Sequence, residues 1–262
     1  MKRVLVILRK EWLELRQDRL ILIGTFGPAI MLTLLPLFGM WAVRRAPDSP
    51  VQDDSTLAAA NSALLGLSGR EFGQAILGQQ LSVLFFLLPL IIPSVIAAYS
   101  IVGEKTGRTL EPLLATPLHT WQLLLGKTLA ALLPAVLVTW GLSGIFVIGI
   151  RGLALSSRVV DAIVSPGWVI VLVCCTPLLA LVTIALMVAI SARVTDPRTA
   201  QQVSGVLVLP VVTLVVGQIT GKLVLNPSTA LGVTAFLALL ATLALWAATC
   251  LFGREVVLTR WR

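Results

Sequence analysis

Long apolar runs separated by short charged segments set the pattern of this chain. Uncharged stretches fall at 20–43, 76–102, 128–150, 167–192, 203–221 and 229–253. Each is long enough to cross a hydrocarbon core as a helix, which takes about 20 residues. Strict apolar/polar alternation of the kind a β-barrel needs is absent, so helices are the spanning solution. The pattern predicts an all-α polytopic membrane protein with six transmembrane helices, built as one transmembrane domain over 1–262. The first run is too long for a cleavable signal peptide and has no small-x-small site at its end.

The charges between the runs orient the chain. With the N-terminus inside, the inner segments hold 14 Lys and Arg: six in 1–19, three in 103–127, two in 193–202 and three in 254–262. The outer segments hold six: Arg44, Arg45, Arg70, Arg151, Arg158 and Lys222. The positive-inside rule therefore predicts cytoplasmic termini in a cell (plasma or inner) membrane protein. Residues 44–75 become an outside loop, polar at first and then Ala- and Leu-rich over 56–67, where a short helix on the outer face is expected. Composition agrees: 57% hydrophobic residues and 12% charged, against roughly 25% charged in soluble domains. The net charge of +8 does not indicate a nucleic-acid partner, because the cations sit between apolar runs and Trp12 alone offers an aromatic near a basic cluster.

Chemistry inside the spans is sparse. Asp, Glu, Lys, Arg and His are missing from all six, which argues against a proton-coupled pump or an ion site, where such residues are retained despite their cost. Gln79, Gln80, Gln218 and scattered Ser and Thr remain, and interhelical hydrogen bonds are their expected role. Pro89, Pro93, Pro134, Pro177 and Pro210 lie in the second to fifth spans and can kink them or serve as hinges. Cys174, Cys175 and Cys250 form no CxxC or Cys/His pair, and His119 has no partner at ligand spacing, so no metal site is predicted. Gly103 to Thr109 lacks the GxxxxGK[ST] spacing of a phosphate cradle. No hydrolytic motif is present. Any energy for work must come from another polypeptide.

Two inner segments carry information. In 1–19, Val4, Leu5, Leu8, Trp12 and Leu15 share a helical face, while Lys2, Arg3, Arg9, Lys10, Arg16 and Arg19 supply cations. Glu11, Glu14 and Asp18 interrupt them, positioned to pair along the helix or face a basic partner. This predicts a helix lying in the membrane interface, in contact with lipid. In 103–127, Gly103 and Gly107 loosen the end of the second span, and Thr109 N-caps a short helix that tolerates Pro112 in its first turn. Leu110, Leu113 and Leu114 then make a strip too short to span, and Pro117 stops it. Such a helix suits either a groove on another protein or packing on its own bundle.

The run IVGEKTGRTLEPLLATPLHTWQLLLGK resembles the cytoplasmic signature of type-2 (ABC-2) ABC transporter permeases. That pattern is an acidic cluster, then G-T-L-E-x-L-L, a proline, and L-x-x-G-K. Here it is Glu104 and Lys105, Gly107 through Leu114 including Glu111, then Pro117, and Leu124 to Lys127. Arg108 departs from the tighter Gly-Thr pair. The stretch RKEWLELRQDR, holding Lys10, Glu11, Trp12, Arg16, Asp18 and Arg19, and followed by a span with Pro28, resembles the family's elbow helix. The resemblance implies a permease subunit with no ATPase site, working as an exporter. Glu104, Gly107, Thr109, Leu110, Glu111, Leu113, Leu114 and Pro117 would form the coupling segment. Implied partners are a separate ATP-binding-cassette subunit, which carries the ATP and Mg, and a second copy or a related permease. No cofactor is expected in this chain, and no substrate-binding residue is indicated. A different class, a non-transporting assembly subunit of a larger membrane complex, fits the apolar spans equally well and is opposed by the signature.

Overall fold

The computed structural model describes residues 2–46, 64, 66–67, 69–103, 120–191, 194, 196–219 and 227–251. Among them there are helices and no strand. Helix α1 covers Lys2–Gln17 and α2 Arg19–Arg45. Next come α3 (Arg70–Ser82), a 3-10 stretch at Val83–Leu87, α4 (Leu88–Ala97) and a π turn at Ala98–Val102. Helix α5 is a single rod, Thr120–Leu153. The short α6 (Ser157–Ile163) and α7 (Pro166–Ile170) lead through a π turn at Val171–Cys175 into α8 (Thr176–Ser191). Helix α9 (Pro197–Ser204), a 3-10 turn at Gly205–Leu207, α10 (Val208–Ile219) and α11 (Pro227–Leu251) follow.

Among the described residues, five helical stretches are long and apolar enough to cross a membrane: Arg19–Arg45, Arg70–Ser100, Leu125–Leu153, Pro166–Ser191 and Pro227–Ala248. The expected fifth run, 203–221, is instead divided between α9, the 3-10 turn and α10. Alone, the 12 residues of α10 reach about 18 Å at 1.5 Å per residue, short of the roughly 30 Å core. The second stretch starts at Arg70, six residues inside the segment expected as loop. Arg70 donates to the carbonyls of Arg44 and Ala46 at 3.5 and 3.4 Å, so its charge ties the helix start to the end of α2 rather than barring it. Of the expected outer loop helix, 56–63 lies outside the described residues. Leu64 and Leu67, at its end, are buried.

The Arg70–Ser100 rod is the centre of the bundle. The buried share of its apolar window is 78%, against 28% for α2 and 11% for α11, so few residues of the last helix are fully enclosed. Helices α2, α5 and α8 pack around the rod, and α11 packs on α8. Phe85 and Phe146 meet at 4.8 Å and Phe146 and Trp168 at 6.2 Å, joining the 3-10 stretch, α5 and α7 in one aromatic core.

Three prolines account for three of the four places where the winding changes among the described residues. A proline has no N–H to offer the carbonyl four residues back. For Pro89, Pro177 and Pro210 those carbonyls belong to Phe85, Val173 and Val206, each inside a 3-10 or π stretch. At the first, the Leu88 N–H bonds the Phe85 carbonyl instead. Pro134 leaves α5 unbroken. Hydroxyls within the spans mostly bond back into their own helix rather than across to another, as Thr33 to Ala29, Thr139 to Ala135, Ser143 to Thr139 and Thr183 to Leu179. The i−4 carbonyl is the nearest acceptor in a medium without water. Gln79 does bond across, to Ala162 at 2.7 Å; the Gln218 side chain lies outside what is described.

At the end remote from α1, one buried amide joins three helices. Gln74 Nε2 donates to the carbonyls of Met40 (3.0 Å) and Leu153 (3.3 Å), and its Oε1 accepts from the Leu155 N–H (3.0 Å). Arg44 reaches the last carbonyls of α5, Gly152 at 2.9 Å, satisfying orphan acceptors at a helix C-terminus. Beside it Arg45 lies 4.4 Å over the Trp41 ring, an aromatic–cation pairing suited to a membrane–water boundary.

Candidate functional site

Helix α1 stops at Gln17 because Asp18 is extended and turns its carboxylate to the next helix. Asp18 Oδ1 accepts from Leu20 N–H at 2.8 Å and Ile21 N–H at 3.4 Å, N-capping α2. An anionic cap there satisfies orphan donors and faces the positive helix end. Of the face expected on α1, Leu5 stands 61% exposed, and the side pressed against the protein centres on Ile7 and Glu11, one turn apart. That side lies on α5. A Cβ on Gly126 would sit 2.8 Å from Ile7 Cγ2, so α1 approaches this closely because position 126 has no side chain.

One turn along, the contact becomes polar. Lys127 Nζ lies 2.9 Å from Glu11 Oε1, 2.8 Å from Ser100 Oγ and 3.1 Å from the Ser100 carbonyl. The Lys127 and Glu11 side chains are 7% and 3% exposed. An ammonium has three donors, and here three acceptors surround it. Lys10 bridges Glu14 at 3.2 Å and stands 3.9 Å from Glu11. Arg16 and Arg19 are exposed.

The arrangement brings together three places far apart in sequence: α1, the π turn that ends the central rod, and the first turns of α5. Ser100 and Lys127 flank the 103–127 segment, so its two stems are fastened to each other and to α1. Glu104, Gly107, Thr109, Leu110, Glu111, Leu113, Leu114 and Pro117, with His119, lie outside the described residues. Of the α1 residues singled out in the sequence, Glu11 and Asp18 have the structural partners given above, and Lys10 supports the acids. Trp12 and Arg16 line a cavity. Ile7 and Ser100 were not singled out, and Gly126 and Lys127 were named only as the end of the signature. The signal available for them was the Gly-Lys pair ending the signature and an acid one turn from Ile7.

Among the described residues, two cavities open near this end. One, of about 240 Å³, lies between α1, α2 and α5, with Ile96 of α4 in its wall. The other, about 300 Å³, lies beside Gly24, Ser94 and Gln201, between α2, α4 and α9. Among the described residues no group of three or more His, Cys, Asp or Glu is placed to hold a metal. The site offers ion pairing, helix packing and apolar surface; its described part holds no arrangement for bond-breaking chemistry.

A multi-helix bundle with several apolar spans and a fastened junction of this kind defines a polytopic membrane protein. The chain belongs to the ABC-2 family of transporter proteins: the family described as ABC-2 family transporter protein matches residues 5–245, which takes in most of α1, the signature segment and all but the last turns of α11. It is accordingly a membrane component of that transporter family rather than the ATPase. Comparison with curated proteins finds no match.

Proposed function

We propose that the chain is the permease subunit of an ABC exporter, moving its substrate with ATP hydrolysed on a separate ATP-binding-cassette subunit that holds the ATP and Mg. The observation that carries this reading is the Glu11–Lys127–Ser100 junction. It fastens both stems of the signature segment to α1, and a lever needs such an anchorage. In this reading α1 is an elbow helix in the cytoplasmic interface and 109–118 is the coupling helix that meets the ATPase. Residues 197–219 supply the sixth crossing, broken at Gly205–Leu207. Both termini are cytoplasmic, the membrane is the plasma or inner membrane, and a second permease copy or relative completes the path.

The test is reconstitution with the cognate ATP-binding subunit. Crosslinking from position 113 is expected to capture that subunit. Changing Leu113 and Leu114 together to Ala is expected to uncouple transport from hydrolysis or release the ATPase, since anchor residues at an interface each contribute on the order of 1 kcal/mol or more. Capture of lipid or of the chain's own bundle alone from position 113, with normal transport by the double variant, would favour an assembly subunit instead.

A further inference from the structure

The cavity between α1, α2 and α5 has a wall and a rim of opposite character. Leu15, Ile21, Phe26 and Leu137 line it with apolar surface, and Trp12 and Arg16 border it from α1. Phe26 and Leu137 are 41% and 58% exposed, so the cavity is continuous with the lipid-facing surface of the bundle. At about 240 Å³ it falls below the roughly 300–1,000 Å³ that enclose a drug-sized ligand. It fits part of a molecule whose remainder stays in the bilayer.

The charges on the rim are not self-compensating. The three acids of this stretch are engaged elsewhere: Glu11 with Lys127, Glu14 with Lys10, and Asp18 with the N–H groups of α2. Among the described residues no carboxylate lies within ion-pairing distance of Arg16 or Arg19, which flank that Asp18 cap. A guanidinium at a membrane boundary is matched by phosphate, which it binds in a planar, two-point fashion. The wall also holds two buried polar atoms without a hydrogen-bond partner, Trp12 Nε1 and Thr25 Oγ1.

We infer that this cavity is a binding site for one anionic phospholipid, its phosphate at Arg16 and one acyl chain against Ile21, Phe26 and Leu137. The site rests on the interfacial placement of α1 given above. It ties the junction between α1 and the first span to the charge of the surrounding lipid, because the headgroup and the chain contact opposite sides of the Asp18 turn.

The full chain in phosphatidylcholine nanodiscs provides the test, with acyl-brominated phosphatidylglycerol or acyl-brominated phosphatidylcholine as the probe. Bromine quenches tryptophan on contact, and subtracting the Trp12→Phe signal isolates Trp12. Brominated phosphatidylglycerol is expected to reach half-quenching of Trp12 at about one-fifth the mole fraction that brominated phosphatidylcholine needs, the preference one basic residue gives near a membrane surface. Arg16→Gln, at an exposed position that leaves the packing alone, is expected to equalise the two lipids. Thr25→Phe, which fills the cavity, is expected to reduce quenching by both. Equal quenching by the two lipids in the unaltered chain would show annular lipid only and overturn the site. Competition by free glycerol phosphate would assign the rim to a soluble phosphate and overturn the lipid. Absence of quenching by either lipid would overturn the interfacial placement of α1 itself.

Discussion

Removing the Glu11 carboxylate should release α1 from α5, and the geometry sets the scale. Glu11→Leu removes the carboxylate 2.9 Å from the Lys127 ammonium, whose side chain is 7% exposed. Breaking one side of a buried ion pair costs about 3–5 kcal/mol, whereas removing both charges together is often near neutral. Glu11→Leu alone should therefore be strongly destabilising locally, while Glu11→Leu with Lys127→Met should recover most of the loss. The assay is amide hydrogen exchange over 2–17 in nanodiscs, read beside thermal unfolding of the whole chain. Exchange of α1 should rise by orders of magnitude in the single variant and return toward the starting value in the double variant. Unchanged α1 protection in Glu11→Leu would refute the reasoning, since the pair would then not be holding the helix. A double variant no better than the single would show that the Ser100 contacts, rather than the ion pair, carry the junction.

The remaining predictions concern other contacts. Gly126→Val should drive Ile7 away and raise α1 exchange as Glu11→Leu does, and Ile7→Ala should relieve it in part. Gln74→Leu removes the acceptor of the Leu155 N–H and the bonds to the Met40 and Leu153 carbonyls; at about 1–3 kcal/mol for a buried donor left unpaired, the unfolding temperature should drop. Gly78→Ala places a Cβ 2.2 Å from Ile163 Cδ1 and should be destabilising until Ile163 is shortened to Ala, measured the same way. At the start of α9, the Thr199 backbone N–H bonded to Asp196 holds that carboxyl below its usual range. The native value is the depressed one, so this cap is fully present above the ordinary carboxylate range and weakens as pH falls through the native value. Exchange at Thr199 should rise on acidification, and Asp196→Ala should remove that dependence.

Hydropathy located the long helices because lipid solvates what water does not, and the five stretches overlap the runs expected for them. It misplaced the start of the central rod, since a charged Arg70 looks like loop until its carbonyl partners on α2 are known. The short α6 was not anticipated; seven residues with two charges carry too little periodicity to register. Three of the winding changes were legible in principle, as each holds the residue four before a proline in the sequence; the π turn at Ala98–Val102 has no such proline. The Glu11–Lys127 pair was not: its members are 116 positions apart, and no local spacing links them. The acid on α1 stands out in the sequence for its charge, but what it faces depends on how α1 folds back along α5.

The fastenings at the two ends of the bundle bear on how the central rod can change length. Gln74 ties its beginning to α2 and α5, and Ser100 ties its end to Lys127 of α5, which in turn holds Glu11 of α1, so neither end slides freely past its neighbours. Between those points lies the 3-10 stretch Val83–Leu87. A 3-10 residue advances about 2.0 Å and an α residue about 1.5 Å, so rewinding five residues as α-helix would shorten the rod by about 2.5 Å and turn one half against the other. A rod clamped at both ends, with a thread of different pitch between the clamps, converts a pull at one end into rotation of the middle.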